Sequence, residues 1–472
     1  MSEPRIIPRS EHTISRKGIS PNALRVLYRL RDAGFQSFLV GGCVRDLLIG
    51  IEPKDFDVAT DALPEQVKKL FRNCRLVGRR FRLAHVFFGR ETIEVATFRA
   101  ASAPSQAEEP VPVADLDDGD QPDIEDTDTL EILDVDVDPS SERLLDEHGR
   151  ILRDNVYGNI HDDVWRRDFT ANALYYNIAD FAIWDYVGGF EDISARTLKL
   201  IGDPTTRYRE DPVRMLRAAR FEAKLGFHLD EPTAEPISQL CELLASVPPA
   251  RLFDETLKLF LTGHGEASLA VLRRRGLFGA LLPDVSAYLD EHPNSLVEKL
   301  LVQGLQNTDA RVQADKPVTP TFLFALLLYG PIAKAIESSP PERWHELSTI
   351  LDACDQAVRE AQSRISLPRR FALGVREMFA LQPRLEHPRG RRALRVLEHP
   401  RFRAAYDLLT LRAEFGLASQ DTAAWWTRLQ EVSSEERERM VDEVSPSGPP
   451  KGSARRGGGG RRRRRRRPAN HS

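Results

Sequence analysis

A segment near the start of the chain, residues 39–60, constrains the fold more than any other part. An apolar run is followed by Gly41 and Gly42, and then by a stretch that carries Arg45 and Asp46. This order predicts a buried strand, a tight glycine turn and a helix, with a second strand after it. Glycine lets the backbone approach a ligand closely, and the amides of such a turn can bind phosphates.

The second strand, predicted over Asp55–Ala59, carries two carboxylates. Asp55 and Asp57 are two residues apart, so on a strand both leave the same face, whereas Phe56 and Val58 point to the other. Mg²⁺ prefers oxygen ligands, which two carboxylates and a triphosphate supply. Either motif alone is weak, because a glycine pair is usually only a turn and an Asp-x-Asp pair is usually solvated. Together, in this order, they predict a nucleotide-handling enzyme with a two-metal phosphoryl-transfer site.

These residues also carry a resemblance to a known family. The pattern G-G-x-V-R-D-x-L-x-G, followed by K-D-x-D-x-x-T, resembles the signature of the class II nucleotidyltransferases, which comprise bacterial poly(A) polymerases and tRNA CCA-adding enzymes. Residues 166–175, 185–189 and 210–217 are similar to three later motifs of that family, and we call residues 166–175 the second motif. The resemblance covers roughly residues 20–260, with weaker similarity to about residue 440.

The branch of the family is indicated by two further features. Leu76–Val86 is similar to a segment that marks bacterial poly(A) polymerases, and the basic C-terminal run is typical of the same branch. Some CCA-adding enzymes carry a phosphohydrolase domain with a His-Asp motif, but His161-Asp162 lies ahead of the second nucleotidyltransferase motif, the wrong place for it. The resemblance therefore implies template-independent addition of AMP from ATP to single-stranded RNA 3′ ends, which would promote RNA decay. The alternatives are tRNA CCA addition and, from a different class, an inactive RNA-binding adaptor.

Three carboxylates are candidates for catalysis in the head. Asp55 and Asp57 are expected to hold two Mg²⁺ ions, which would activate the RNA 3′-hydroxyl and offset charge on the leaving pyrophosphate. Alternation in the predicted strand Thr92–Thr97 puts Glu94 on the polar face. By resemblance Glu94 completes the acidic triad, as metal ligand or as base, and the alternative is an exposed strand residue.

Asp168 is a fourth candidate. It is predicted to cap a helix over Phe169–Asn177, since Asp accepts backbone amides at helix starts. The resemblance places it in the active site as a catalytic residue, beside Arg166 and Arg167, near the ribose and phosphates of the nucleotide.

The glycine turn and its neighbours are candidates for phosphate binding. Arg45 can act as a forked donor to a phosphate, or it can form a plain ion pair with Asp46. Gly41 and Gly42 allow close approach of the backbone, and Lys54 lies just before the predicted catalytic strand.

Base selection is expected further along the chain. Asp211 and Pro212 predict the start of a helix that runs to about Leu225. Arg214 and Arg217 then share one face, three residues apart. By resemblance, Asp211 and Arg214 hydrogen-bond the edge of the incoming base. The alternative is capping with a solvated arginine stripe.

Charge is strongly segregated although the net charge is only −4. Residues 108–147 carry 17 acids and one base, Arg143, and residues 451–472 carry ten bases and no acid. The acidic segment is expected to be disordered, because it has too little apolar surface to bury.

The basic tail is a candidate RNA-binding segment. Arginines that contact phosphates release counterions, so the tail is expected to bind RNA without sequence preference and with strong salt dependence. The alternatives are a solvated tail or transient attraction to an anionic membrane surface. The candidate RNA-binding residues are seven consecutive arginines: Arg461, Arg462, Arg463, Arg464, Arg465, Arg466 and Arg467.

The sequence as a whole predicts an α+β protein with a mixed-sheet nucleotidyltransferase head. The expected parts are an N-terminal extension at 1–19, the head at 20–190 with an acidic insertion at about 101–150, a helical neck at 191–255, a helical RNA-binding body at 256–440 and a disordered basic tail at 441–472. Four cysteines without Cys-x-x-Cys spacing argue against a zinc site. Without an apolar N-terminal segment or an apolar run of about 20 residues, a cytoplasmic protein with no transmembrane segment is expected. RNA-decay proteins are expected partners by resemblance alone.

Overall fold

The computed structural model describes residues 3–78, 82–100, 144–145, 151–153 and 157–444. Most of the predicted acidic insertion lies outside the described residues, so the predictions for it stay predictions. The chain divides into two compact units, residues 1–379 and 380–472. The finer division into extension, head, neck, body and tail also stays a prediction.

The predicted RNA-binding arginines of the tail are not among the described residues either. Their assignment to RNA therefore stays a prediction that the structure does not test. The residues concerned are Arg461, Arg462, Arg463, Arg464, Arg465, Arg466 and Arg467.

The head is built on a mixed sheet, and the predicted α+β class is confirmed. The strands in the described part of the chain are β1 (Arg5–Ile7), β2 (Ser37–Val40), β3 (Asp57–Thr60), β4 (Cys74–Val77), β5 (Leu83–Phe88), β6 (Glu91–Thr97), β7 (Leu144–Leu145), β8 (Ile151–Arg153), β9 (Leu174–Asn177), β10 (Ile183–Asp185), β11 (Thr197–Leu198) and β12 (His228–Leu229). Eight of these form one sheet in the order β1-β10-β9-β2-β3-β6-β5-β4, while β7–β8 and β11–β12 form two-stranded pairs.

The register at the centre of the sheet aligns the polar residues. Val40 lies opposite Asp57 in the antiparallel pair β2–β3. Asp57 lies beside Glu94 in the parallel pair β3–β6, and Glu94 lies beside His85 in the antiparallel pair β6–β5. Because paired residues on adjacent strands point to the same face, Asp57, Glu94 and His85 form one row across the sheet.

Helices follow the sequence pattern closely. In chain order they are α1 (Pro21–Asp32), α2 (Gly42–Leu48), α3 (Pro64–Leu70), α4 (Ile160–Arg166), α5 (Gly189–Ser194), α6 (Pro204–Glu210), α7 (Val213–Leu225), α8 (Glu231–Leu240), α9 (Pro249–Phe260), α10 (Gly265–Arg274), α11 (Leu277–Leu281), α12 (Pro283–Glu291), α13 (Leu296–Gln313), α14 (Pro320–Leu327), α15 (Tyr329–Glu337), α16 (Leu347–Gln362), α17 (Arg369–Glu386), α18 (Arg392–Leu397), α19 (Phe402–Glu414), α20 (Gln420–Glu431) and α21 (Ser434–Glu443). The prediction that the chain is mainly helical beyond residue 190 is confirmed.

Helix α1 shows how local sequence sets an element. The Ser20 hydroxyl accepts hydrogen bonds from the amides of Asn22 and Ala23 at 3.1 and 3.4 Å, and Pro21 occupies the first turn. The helix then buries a face that includes Val26 and packs on the sheet beside α3. These two helices cover one face of the sheet.

The other face is covered over β2 and β9. Phe38, Val40 and Tyr175 pack there into a buried cluster with Val164 of α4, together with Ala59, Phe98, Ala173 and Ile201. This cluster fixes the ends of the strands that carry the candidate site.

Two sequence predictions about local structure are wrong. Asp55 is not in a strand: β3 begins at Asp57, because its partner β2 ends at Val40 and the chain turns away at Gly41. The predicted helix Phe169–Asn177 is instead a short 3₁₀ turn followed by strand β9. The run Leu174–Tyr176 is buried on both faces and pairs with β2 and β10. Aromatic residues are favoured in such a strand, and this packing outweighs their tendency to form a helix.

In the second unit, Trp426 of α20 is completely buried and its indole N–H donates to the Leu385 carbonyl at 2.7 Å. Among the described helices, none alone is long and apolar enough to cross a membrane. The bent pair α14–α15, with a 46° angle between its halves, passes that test by length and composition only.

Candidate active site

The centre of the site is a row of carboxylates at the start of β3. Asp57 and Glu94 are neighbours across the parallel ladder, and the Glu94 side chain is half exposed. Asp55 lies in the loop just before β3 and is exposed. The structure therefore places Asp57 and Glu94 side by side, and Asp55 lies two residues ahead of Asp57 in a loop.

The pKa of Asp57 reflects this crowding. Burial, with smaller contributions from the negative charges of Glu94 and Asp55, raises the pKa of Asp57 to about 6, while Arg167 opposes the shift. Like charges held this close favour a bound cation. The negative charges of Glu94 and Asp55 therefore both act on Asp57.

The carboxylates of the site could supply part of the ligand set of a magnesium ion. Within the described residues, no group of three or more His, Cys, Asp or Glu side chains is arranged to hold a metal by itself. Mg²⁺, however, is usually bound by one or two carboxylates plus substrate phosphates and water. Asp57 with Asp55 or Glu94 supplies that share of the ligands, with the rest left for a nucleotide.

The glycine turn faces this row directly. Gly41 has φ of 78° and ψ of −141°, a conformation that side chains rarely adopt. A Cβ at this position would lie 3.6 Å from Oδ2 of Asp57 and 3.8 Å from Nη1 of Arg167. The missing side chain therefore leaves a small open space at Gly41 that is bounded by a carboxylate and a guanidinium. Phosphate binding in this space stays a prediction.

Arg167 lines this space because a buried network holds it. Its Nε donates to the Tyr175 hydroxyl at 2.9 Å and its Nη2 donates to Asp163 at 3.0 Å. Burial alone would lower the pKa of Arg167, but these two partners outweigh it, so the pKa is raised and the cation is permanent. Arg166 ends α4 one residue earlier and is partly buried.

In this structure Arg45 forms an ion pair with Asp46, the alternative to phosphate binding. Its guanidinium is buried and donates to Oδ1 of Asp46 at 2.8 and 2.6 Å and to Oδ1 of Asn172 at 2.5 Å. These contacts join α2 to the second motif. A phosphate-binding role for Arg45 or Asp46 stays a prediction, as does one for the exposed Lys54.

Asp168 connects the second motif to α7. Its Oδ2 accepts two hydrogen bonds from Arg217, at 2.8 and 2.5 Å, and its Oδ1 accepts the Phe169 amide at 2.8 Å. Burial acts to raise the pKa of Asp168, but Arg217 outweighs burial and the pKa is lowered. The carboxylate is therefore ionised and held against Arg217.

The helix predicted to run to about Leu225 is confirmed as α7, and its polar residues have partners. Its role in base recognition stays a prediction. Asp211 accepts the Val213 amide at 3.3 Å and pairs with Arg251 of α9 at 3.1 Å. Arg214 donates to the Arg207 carbonyl at 2.8 Å and pairs with Glu210 at 3.4 Å. Asp211 and Arg214 thus lie one helical turn apart at the start of α7.

Several residues that organise the site were not predicted from the sequence. Asp163 precedes Arg167 by four residues, a spacing that could have indicated the pair. Asn172 and Tyr175 were within a recognised motif but carried no separate signal. Arg251 is 40 residues from Asp211 in the chain, and only the packing of α9 on α7 reveals that contact.

Family models match most of the chain. A model described as "Poly A polymerase head domain" matches residues 37–199. A second, "Probable RNA and SrmB- binding site of polymerase A", matches residues 226–289. A third, "Polymerase A arginine-rich C-terminus", matches residues 342–469.

Whole-chain comparisons favour one branch. A poly(A) polymerase I from Salmonella typhimurium is 45% identical over 451 residues, which cover 94% of this chain and 90% of the relative. A CCA-adding enzyme from Bacillus pumilus is 32% identical over 55% of this chain and 54% of that enzyme. A solved structure described as "tRNA-processing enzyme (apo form I)" has the same fold, with a TM-score of 0.56 at 19% identity, covering 92% of this chain and 99% of that one. The chain therefore belongs to the poly(A) polymerase branch of the class II nucleotidyltransferases, as its motifs predicted.

Proposed function

We propose that this enzyme adds AMP from ATP to the 3′ end of RNA without a nucleic-acid template. The observation that carries the proposal is the open space at Gly41, which Asp57 and Arg167 both border, with Glu94 beside Asp57 on the next strand. A triphosphate in that space would meet backbone and guanidinium on one side and carboxylates on the other. This is the arrangement that phosphoryl transfer needs, because it depends on positioning and charge stabilisation.

The residues have separate tasks in this proposal. Gly41 admits the triphosphate and Arg167 orients it. Two Mg²⁺ ions, held by Asp55 and Asp57, would activate the attacking oxygen and stabilise the leaving group. Glu94, half exposed beside Asp57, serves as ligand or as base for the RNA 3′-hydroxyl. The bond formed joins the 3′-oxygen to the α-phosphorus, and the bond broken releases pyrophosphate.

The nucleotide base is assigned to the start of α7. Asp211 offers acceptors and Arg214 offers donors one turn apart, and Arg207, Glu210 and Arg251 hold them in place. A base edge can be read by such a pair much as a partner base reads it. Asp168 positions Arg217 and so fixes α7 relative to the second motif.

The fate of the product is part of the same proposal. By resemblance, the added tails mark RNA for decay, with decay proteins as partners and the cytoplasm as the location. The 45% identity to a poly(A) polymerase I over nearly the whole chain supports open-ended adenylation, whereas similarity to CCA-adding enzymes covers about half of the chain.

A primer-extension assay tests the proposal. A short RNA ending in A and a tRNA lacking CCA each receive ATP alone, CTP alone or both, with magnesium. Long heterogeneous A tails on the generic RNA are expected, and an Asp55→Ala/Asp57→Ala variant should make none. An Asp32→Asn variant, altered at an exposed carboxylate of α1, is the matched control and should keep full activity. Addition that stops after CCA on the tRNA would overturn the proposal.

A further inference from the structure

The carboxylate row continues beyond Glu94 to the edge of the sheet. His85 lies beside Glu94, with Nε2 3.6 Å from Oε1, and Arg75 lies beside His85 in the pair β4–β5. The row across β3, β6, β5 and β4 is therefore acid, acid, histidine, arginine. It links the candidate active site to the edge strand on a single face.

This face is exposed over β5 and β4, whereas the opposite face is not. Cys74, Ala84 and Val86 alternate with the row and are buried under α3. On the exposed face, Phe87 is 36% exposed and Val77 is 42% exposed. We name the exposed surface formed by Arg75, Val77, His85 and Phe87 the strand platform.

The chemistry of the strand platform suits single-stranded nucleic acid. The ring of Phe87 lies 6.3 Å from the ring of His85, at an interplanar angle of 62°. Cζ of Arg75 lies 6.0 Å from the centroid of the Phe87 ring. An exposed aromatic ring beside a cation offers one surface for base stacking and one charge for phosphate. The strand platform therefore combines the two kinds of contact that single strands need.

The direction of the reaction points to the same surface. The open space at Gly41 lies on the β2 side of Asp57, and the strand platform lies on the opposite side, past Glu94. In phosphoryl transfer the attacking and leaving oxygens are roughly in line across the phosphorus. With the pyrophosphate towards Gly41 and the line of attack along the row of carboxylates, the attacking 3′-hydroxyl comes from the side of β6 and β5.

We propose that the strand platform binds the 3′-terminal nucleotides of the RNA primer, with Phe87 stacking on a base and Arg75 contacting a phosphate. This assignment rests on the proposed function, since it takes the RNA 3′ end as substrate. His85 lies between the aromatic ring and Glu94 and so borders the terminal ribose. The occupant is RNA rather than a protein because the surface is continuous with the carboxylates that the 3′ end has to reach.

Steady-state kinetics of Phe87→Ala on the full chain test the proposal. The KM for an oligo(A) primer should rise about tenfold, which corresponds to about 1.4 kcal/mol of lost stacking, while the KM for ATP is unchanged. Phe87→Trp should restore the wild-type KM because it retains a stacking ring. Ile6→Ala, which removes a 54% exposed side chain from the far edge strand β1, is the matched control and should change neither constant.

Crosslinking gives a second readout that does not depend on a variant folding. A primer with 4-thiouridine at its 3′-terminal position is irradiated with the wild-type enzyme and digested with trypsin. The crosslink should map to the peptide of residues 83–90. An unchanged primer KM in Phe87→Ala would overturn the strand platform, and so would a crosslink confined to peptides that contain none of Arg75, Val77, His85 and Phe87. Extension by wild type would still support the proposed function in either case. Failure of wild type to extend any primer would instead refute the proposed function.

Discussion

The space at Gly41 gives the sharpest single-residue prediction. Replacing Gly41 by Ala places a methyl group 3.6 Å from Asp57 and 3.8 Å from Arg167, distances of ordinary van der Waals contact. The methyl therefore causes no clash in the free enzyme. It does occupy the space assigned to the triphosphate.

The magnitude has two separate parts. The positive φ of 78° with ψ of −141° is strained for alanine, which should lower the free energy of unfolding by about 1–3 kcal/mol. The methyl should also displace the phosphates by about 1 Å, and a misplacement of that size can cost about 100-fold in rate. We therefore expect kcat/KM for ATP to fall about 100-fold in a variant that is still folded.

The assay separates strain from occlusion with a matched variant. Gly50→Ala has nearly the same φ, 77°, and nothing lies within 4 Å of its new methyl. Urea unfolding should show both variants destabilised, whereas AMP incorporation should fall only in Gly41→Ala. Equal activity in the two variants would refute the assignment of this space to the triphosphate.

Three further predictions concern other parts of the chain. Asp168→Asn should lower the unfolding free energy by about 1–3 kcal/mol at pH 7. Because Arg217 lowers the pKa of Asp168 in the folded state, this stabilisation is present above pH 3.8 and is lost as the pH falls through the lower pKa of the folded state. Urea denaturation curves of variant and wild type should therefore converge in acid. Trp426→Ala should cost about 3–5 kcal/mol in urea unfolding, since it empties a completely buried site and leaves the Leu385 carbonyl without its donor; a cost under about 1 kcal/mol would contradict that packing. Deleting residues 451–472 should flatten the dependence of RNA affinity on salt, by up to about 0.7 in the logarithmic slope for each arginine that contacts phosphate, and an unchanged slope would exclude the tail from binding.

Local signals were enough to predict much of the head. The Ser20-Pro21 cap, the glycine turn and the alternation around Glu94 each specify backbone geometry within a few residues, and the structure has those elements. Asp55 was misplaced because strand length depends on the partner strand, and β2 ends at Val40. The sequence of one strand does not show where its partner strand ends.

Other features depended on packing between distant segments. The helix predicted from Phe169 became strand β9 because Tyr175 and Tyr176 are buried between two other strands. Likewise, the pairing of Arg217 with Asp168 joins residues 49 apart in the chain, and neither has a local signal for the other. The motif placed both residues in the site, but only the folded chain shows that the carboxylate is held by the arginine.

The most direct test of the account is single-turnover AMP incorporation by Asp57→Asn and Glu94→Gln, with primer binding measured separately. Each substitution removes one charge with almost no change in shape, and Asp32→Asn serves as the matched control. We expect a rate lower by several orders of magnitude in both variants, with primer affinity retained and the control unaffected. Incorporation at the wild-type rate by either variant would show that the carboxylate row at β3 and β6 is not where the reaction takes place.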